Sequence, residues 1–186
     1  MKKILFTLGL CSVFFLSTVT VSAQTKETKQ DKKELREKKD KTEAIKLAQK
    51  NVANIENLNF SFYPNTFEPE FGVTNDLTGM GDFYFTVDKT NFYMNLPYVG
   101  RFYTNPMAMT PANAPINLTC SQFLYSVHST DGVNIQVTVL PADNDVTRVL
   151  NDGIRFVFYL NKNSGYAKLV VTADNRQEMT YTGTFN

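Results

Sequence analysis

Apolar and polar residues alternate with a period of two along most of the chain after Asn57. Such alternation is typical of strands that bury one face. Turns rich in Asp, Asn and Gly separate the alternating segments, which favours hairpins. We therefore predict an antiparallel meander sheet of about seven or eight strands. Its inward residues are expected in six segments: Phe83–Val87, Phe92–Leu96, Val133–Val139, Ile154–Leu160, Ala167–Val171 and Met179–Phe185.

A helix is predicted before the sheet. Ile45, Ala48, Val52 and Ile55 recur every three or four residues, the period of a helix with one apolar face, and the helix is expected to end near Asn57. A one-sided sheet must cover its apolar face, by this helix, by folding into a sandwich or by curling. The predicted class is α+β and mostly β: an N-terminal helix packed on a curved antiparallel sheet, with an open barrel as the alternative.

Three segments interrupt the alternation. Pro97 and Gly100 predict that a strand from Phe92 to Tyr103 bends rather than ends, because proline removes a ladder donor and glycine permits a bulge. Residues 66–81 and 104–115 lack a clear period, so we predict two long irregular loops.

The N-terminus has the order of a secretory signal peptide. Lys2 and Lys3 precede an apolar run, and small residues follow as far as Ala23, where cleavage is expected. The apolar run is too short for a membrane span of about 20 residues, so no stable span is expected after cleavage. We predict a signal peptide over 1–23, a charged helical lead-in over 24–43 and one domain over 44–186, located in the periplasm or secreted.

Charge and residue chemistry narrow the function. Residues 51–186 hold seven Lys or Arg against twelve Asp or Glu, which argues against a nucleic-acid partner. The single histidine, His128, lies eight residues from Cys120 on what looks like one strand, too far for a catalytic pair. One His and one Cys after the signal peptide are also too few for a zinc site. We expect no metal, no cofactor and no enzymatic activity.

The predicted bend also holds the candidate site, Tyr98, Arg101 and Tyr103. The guanidinium of Arg101 can stack on a ring or pair with a carboxylate and so hold the bend. Alternatively, the three side chains line a pocket for an anionic or glycan-like ligand. We favour the structural interpretation because a single arginine among aromatic rings is common.

Three stretches carry a family resemblance: "LPYVGRFY" (Leu96–Tyr103), "NSGYAKLVV" (Asn163–Val171) and "NRQEMTYTG" (Asn175–Gly183). With the Lys- and Glu-rich lead-in, they resemble a secreted bacterial family catalogued as domain of unknown function 4251. Val99 and Phe102 depart from its signature, which usually has an aromatic and a small residue there. The resemblance implies a fold and an exported location, and it implies no chemistry.

The expected function is that of an exported, non-enzymatic envelope protein, a binding or structural module whose partner is an envelope protein or a small ligand. The alternative is a carrier that holds a small apolar or aromatic ligand inside the curled sheet. Fifteen Phe and nine Tyr are enough to fill a core or to line a cavity. A carrier requires an apolar cavity of about 300 Å³ or more, which separates the two hypotheses.

Overall fold

A computed structural model gives the structure of the protein. It describes residues 20–98, 116–129, 131–142, 153–174 and 176–186, with side chains from Lys29 onward. Two candidate site residues, Arg101 and Tyr103, lie outside the described residues, as do the predicted loop over 104–115 and the part of the predicted bent strand after Tyr98. In the described part of that strand, the strand conformation ends at Leu96, so Pro97 and Tyr98 do not continue it as predicted.

One helix and ten strands make up the described chain. The helix is α1 (Thr20–Glu56), and the strands are β1 (Phe60–Pro69), β2 (Asn75–Asp76), β3 (Tyr84–Asp88), β4 (Asn91–Leu96), β5 (Ile116–Cys120), β6 (Phe123–Ser129), β7 (Asn134–Pro141), β8 (Arg155–Asn161), β9 (Tyr166–Ala173) and β10 (Arg176–Phe185).

The chain divides into two units, residues 1–42 and 43–186. In the first unit every described side chain, including Leu35, is exposed on the helix. Lys33 and Glu37 form an ion pair of 4.0 Å there, and such exposed pairs four residues apart add only a few tenths of a kcal/mol. No helix within the described residues has the length and apolar content needed to cross a membrane.

All ten strands belong to one antiparallel sheet in the second unit. Its order is β5-β4-β3-β1-β10-β9-β8-β7-β6, and β2 pairs with β1 beside this path. Two meanders, β3–β5 and β6–β10, are joined through β1, which pairs with β3 and with β10. The sheet curls into a nearly closed barrel. The predicted fold class is therefore confirmed, with more strands than the seven or eight expected.

Aromatic rings fill the interior of this barrel. The ring of Phe85 on β3 lies 5.0–5.2 Å, centroid to centroid, from the rings of Phe92, Phe156 and Phe158. Phe60 on β1 lies 5.5 Å from Phe158 on β8. Because β1, β10 and β9 separate β3 from β8 along the sheet, ring contacts between β3 and β8 require the sheet to curl over onto itself.

The last turns of α1 pack on the barrel, but not along the whole predicted stripe. Ile55 is fully buried, whereas Ile45 is 59% exposed and does not cover the sheet. A polar residue, Asn51, holds the helix instead. Its buried side-chain Nδ2 donates to the backbone oxygens of Lys162 and Ser164 in the β8–β9 turn, at 3.2 Å each.

The C-terminus of α1 is closed by backbone hydrogen bonds. Leu58 adopts a positive φ of 50°, and the backbone N–H of Asn59 donates to the carbonyl of Asn54 at 2.9 Å. The N–H of Leu58 donates to the carbonyl of Ile55, which completes a Schellman motif with leucine in the place usually held by glycine. Tyr125 on β6 also donates its hydroxyl to the Ile55 carbonyl, at 2.9 Å.

Part of the segment 66–81, predicted to be an irregular loop, is strand. β1 continues to Pro69, and β2 pairs with its second half. The register of β1 against β10 shifts between Pro64 and Thr66, so the inward alternation resumes out of phase at Phe67. This bulge, together with Pro64 and Pro69, breaks the alternation, and the strand was therefore not predicted from the sequence.

The backbones of β1 and β10 approach each other closely beside this bulge. Gly183 on β10 pairs with Pro64. A Cβ atom added at position 183 would overlap the carbonyl oxygen of Tyr63 and would lie 2.6 Å from the Cα of Pro64. Glycine is therefore the residue that fits this position without backbone movement.

Candidate functional site

The structure describes one of the three predicted site residues, Tyr98. It lies two residues after β4 and is buried, with 2% of its surface exposed. Tyr98 therefore belongs to the interior and does not line an open pocket. The grouping of Tyr98 with Arg101 and Tyr103 stays a prediction, because the other two lie outside the described residues.

Tyr98 packs against the start of β10. Its hydroxyl donates to the backbone oxygen of Gln177 at 3.3 Å, and the guanidinium carbon of Arg176 lies 5.3 Å from its ring centroid. In the other direction, the Tyr181 hydroxyl donates to the backbone oxygen of Pro97 at 2.6 Å. We call Pro97, Tyr98, Arg176, Gln177 and Tyr181 the tyrosine–arginine cluster.

Burial sets the electrostatics of this cluster. Arg176 is only 5% exposed. Desolvation lowers the pKa of its guanidinium, while the electrostatic interaction with the Tyr98 and Tyr181 hydroxyl groups acts in the opposite direction. Arginine starts so far above neutral pH that it stays cationic. Burial raises the pKa of Tyr181, which stays a neutral donor. A desolvated cation over an aromatic ring gains about 2 kcal/mol from that contact, which offsets part of the cost of burying the guanidinium.

The cluster joins two parts of the sheet that are not hydrogen-bonded neighbours. β3 and β1 lie between β4 and β10 in the sheet order, so the contact crosses the inside of the curled sheet. The side chains of Tyr98, Arg176, Gln177 and Tyr181 are all buried, and a ligand would have to displace rings to reach the guanidinium. We conclude that the cluster holds the end of β4 against β10.

Sequence reasoning missed Arg176 as a contact of Tyr98. The two stretches "LPYVGRFY" and "NRQEMTYTG" each combine arginine with tyrosine, and this shared composition was the available signal. It does not say which arginine contacts which ring, because that depends on how the sheet curls.

Cys120 and His128 do not share a strand, contrary to the sequence prediction. Cys120 ends β5 and His128 lies on β6, so the distance inferred along one strand was wrong. Their surroundings differ instead. The Cys120 thiol is buried and donates to the backbone oxygen of Gln122 at 3.1 Å, whereas His128 is exposed. A cysteine nucleophile requires a hydrogen bond to its base. The described hydrogen bond of the buried Cys120 thiol goes to the backbone oxygen of Gln122, and His128 is an exposed residue of β6.

Three aspartates in surface turns, Asp76, Asp88 and Asp131, have lowered pKa values because turn hydrogen bonds stabilise the carboxylate. At Asp131, the backbone N–H groups of Asn134 and Val133 donate to Oδ1 at 2.6 and 2.9 Å. A general acid needs a raised pKa, so the lowered pKa values of these three aspartates do not suit that role. Their carboxylates instead accept the hydrogen bonds that hold the turns. Nowhere in the described part of the chain do three His, Cys, Asp or Glu residues group as a metal site requires.

A comparison with protein families identifies the chain. The family model described as domain of unknown function (DUF4251) matches residues 39–185, a range that contains both segments of the tyrosine–arginine cluster. This chain belongs to the DUF4251 family. The match confirms the family that the sequence motifs indicated.

A solved DUF4251 structure has a similar fold. It is the crystal structure of a DUF4251 family protein from Bacteroides eggerthii DSM 20697, with a TM-score of 0.50 and 14% sequence identity over 75% of this chain and 86% of that chain. At this identity the likeness shows the fold alone. None of the curated proteins matches the chain.

The hydrogen bond from Tyr181 gives a direct test of the cluster in this DUF4251 protein. Tyr181→Phe should lower the free energy of unfolding by about 1–2 kcal/mol, because the Pro97 carbonyl loses its donor in the interior. Chemical denaturation measures this change, and Tyr159→Phe, at an exposed position, serves as the control. If both variants unfold at the wild-type denaturant concentration, the Tyr181 hydrogen bond does not stabilise the fold.

Proposed function

We propose that this DUF4251 protein is exported by a cleavable signal peptide and acts in the periplasm or outside the cell as a non-enzymatic protein. It binds a partner or ligand at its surface, or it serves as a structural module of the envelope. The observation that carries this proposal is the ring-filled interior of the barrel, together with the burial of the tyrosine–arginine cluster.

The packing of the interior favours surface binding over the carrier hypothesis. A carrier needs an enclosed apolar space of about 300 Å³. In the centre of the barrel, the space between β3, β4 and β8 is occupied by Phe85, Phe92, Phe156 and Phe158, with ring centroids 5.0–5.7 Å apart. These are contact distances between aromatic rings, so this part of the interior is core.

The lowered pKa values of Asp76, Asp88 and Asp131 make these three carboxyl groups unsuited to act as general acids, which agrees with the proposed non-enzymatic role. Glycoside hydrolysis, the carboxylate chemistry open to this chain, requires two carboxyl groups across a cleft with one pKa raised. The shifted pKa values of the aspartates described above are lowered by hydrogen bonds in hairpin and loop turns. The same hydrogen bonds explain why aspartate is present at those turns.

Native mass spectrometry of the protein purified from the envelope fraction of its own host tests the proposal. We expect the mass of residues 24–186, with no apolar small molecule retained. A full-length chain in the cytosol would contradict export, and a retained apolar molecule would favour the carrier.

Two variants control this measurement. Ala23→Leu removes the small residue before the cleavage position and should leave the signal peptide attached. Cys11→Ser should be processed as the wild type is, because Leu10 before it does not fit a lipidation site.

A further inference from the structure

A groove of about 460 Å³ lies on the outer face of β7–β10. Tyr159 on β8 and Tyr166 on β9 line it and are 48% and 62% exposed. Hydrogen-bonding side chains make up the rest of its polar lining: Asn134, Gln136, Asn161, Ser164, Lys168 and Thr182. The groove therefore combines exposed aromatic rings with amide, hydroxyl and ammonium groups.

The sheet register brings the two tyrosines together. Gln136, Tyr159, Lys168 and Thr182 lie directly opposite one another on four successive strands, about 4.8 Å apart from strand to strand. Tyr166 lies two residues before Lys168 and is the diagonal neighbour of Tyr159, at about 7–8 Å. Both tyrosines therefore lie on the same face of the sheet and line the same groove.

Hydrogen bonds fix the amides at the rim of the groove. Asn161 Nδ2 donates to Asn134 Oδ1 at 3.4 Å, and Asn134 Nδ2 donates to Asp131 Oδ2 at 2.7 Å. The backbone N–H of Asn163 donates to Asn161 Oδ1 at 3.0 Å. Binding of a ligand to these amides costs little side-chain entropy, since the hydrogen bonds already hold the amides in place.

We propose that this groove binds a saccharide chain. Each pyranose ring has an apolar C–H face, which packs on a tyrosine ring, and hydroxyl groups at its edge, which bond to amides, hydroxyls and ammonium groups. Lys168 carries the single charge among the residues lining the groove. That lining lacks the positive field of a nucleic-acid site.

This proposal rests on the proposed function, in which the protein acts by binding at its surface. The test is binding of the chain 24–186 to an array of plant, microbial and host oligosaccharides, followed by titration of the saccharides retained. We expect at least one saccharide to bind, and Tyr159→Ala and Tyr166→Ala each to weaken its binding about tenfold or more.

Tyr63→Ala is the matched control, because Tyr63 is an exposed tyrosine on β1 outside the groove. It should leave saccharide binding unchanged, and all three variants should melt close to the wild type. No binding to the array, or binding that survives both groove substitutions, overturns the saccharide site. A dimer in analytical ultracentrifugation that Tyr159→Ala abolishes also overturns it, in favour of contact between two copies.

The two proposals fail in different ways. A full-length cytosolic chain, or a retained apolar ligand, contradicts the proposed function even if the array shows saccharide binding at the two tyrosines. If the chain is processed, carries no apolar ligand and binds none of the saccharides, the saccharide site is contradicted. The proposed function is not affected by that result.

Discussion

Gly183→Ala is expected to destabilise the protein by about 3 kcal/mol or more, because overpacking against backbone allows little relaxation. The added methyl group would overlap the Tyr63 carbonyl oxygen and approach the Cα of Pro64 at 2.6 Å. Both atoms belong to the backbone of β1, which pairs with β10 along its length and with β3 on its other side. Relief therefore requires the two central strands to separate. Chemical denaturation of the purified protein measures the loss.

Gly165→Ala provides the matched control for this prediction. No heavy atom outside the neighbouring residues lies within 4 Å of a Cβ built at Gly165, and its φ is not in the left-handed region. We expect a change within about 0.5 kcal/mol, as for other exposed substitutions. If the two alanine variants have the same unfolding midpoint, β1 and β10 are farther apart at the bulge than the structure places them.

The sequence predicted strands well where the alternation runs unbroken. β3, β4, β7, β8, β9 and β10 all bury residues that the period of two selected, because each has one face on the core. β1 was missed because the bulge between Pro64 and Thr66 changes the phase of its inward positions. When the alternation changes phase within a strand, the sequence pattern predicts that the strand ends there.

The edge of the sheet was also misassigned. Cys120 and His128 looked like one strand, but Ser121 and Gln122 separate β5 from β6, and these strands form the two ends of the sheet order. Most of β6 is exposed, so its sequence carries a weaker burial signal than a central strand does. Sequence spacing could not show that two consecutive strands lie at opposite edges.

The contacts of the candidate site depended on tertiary structure. Tyr98 could be named from the sequence, but its burial could not, and Arg176, its described cationic partner, comes from β10 on another part of the sheet. Likewise, the period of α1 selected Ile45, which is exposed, and passed over Asn51, which anchors the helix through the β8–β9 turn. The helical period identifies which face of α1 is apolar. It does not show which turns of that face contact the sheet, because this depends on where the sheet ends.

Phe85→Ala should cause the other large loss, about 3–5 kcal/mol of the free energy of unfolding, since it removes a fully buried ring and leaves a cavity. Phe85 contacts three rings, on β4 and β8, so its loss loosens both sides of the barrel at once. Phe71→Ala is the control, because Phe71 is 82% exposed and its removal should change stability little. Denaturant titration followed by circular dichroism compares the two.

The same pair of variants separates a filled core from a ligand cavity. If Phe85 fills a packed core, Phe85→Ala creates an apolar space, and a small apolar probe such as benzene should raise the melting temperature of the variant and not that of the wild type. In a carrier, the wild type already has such a space, so the probe would stabilise it, and truncating one wall residue would cost under about 1 kcal/mol because little packing is lost. That result would replace surface binding with carriage of an apolar ligand, since the proposed function depends on an interior that has no room for one.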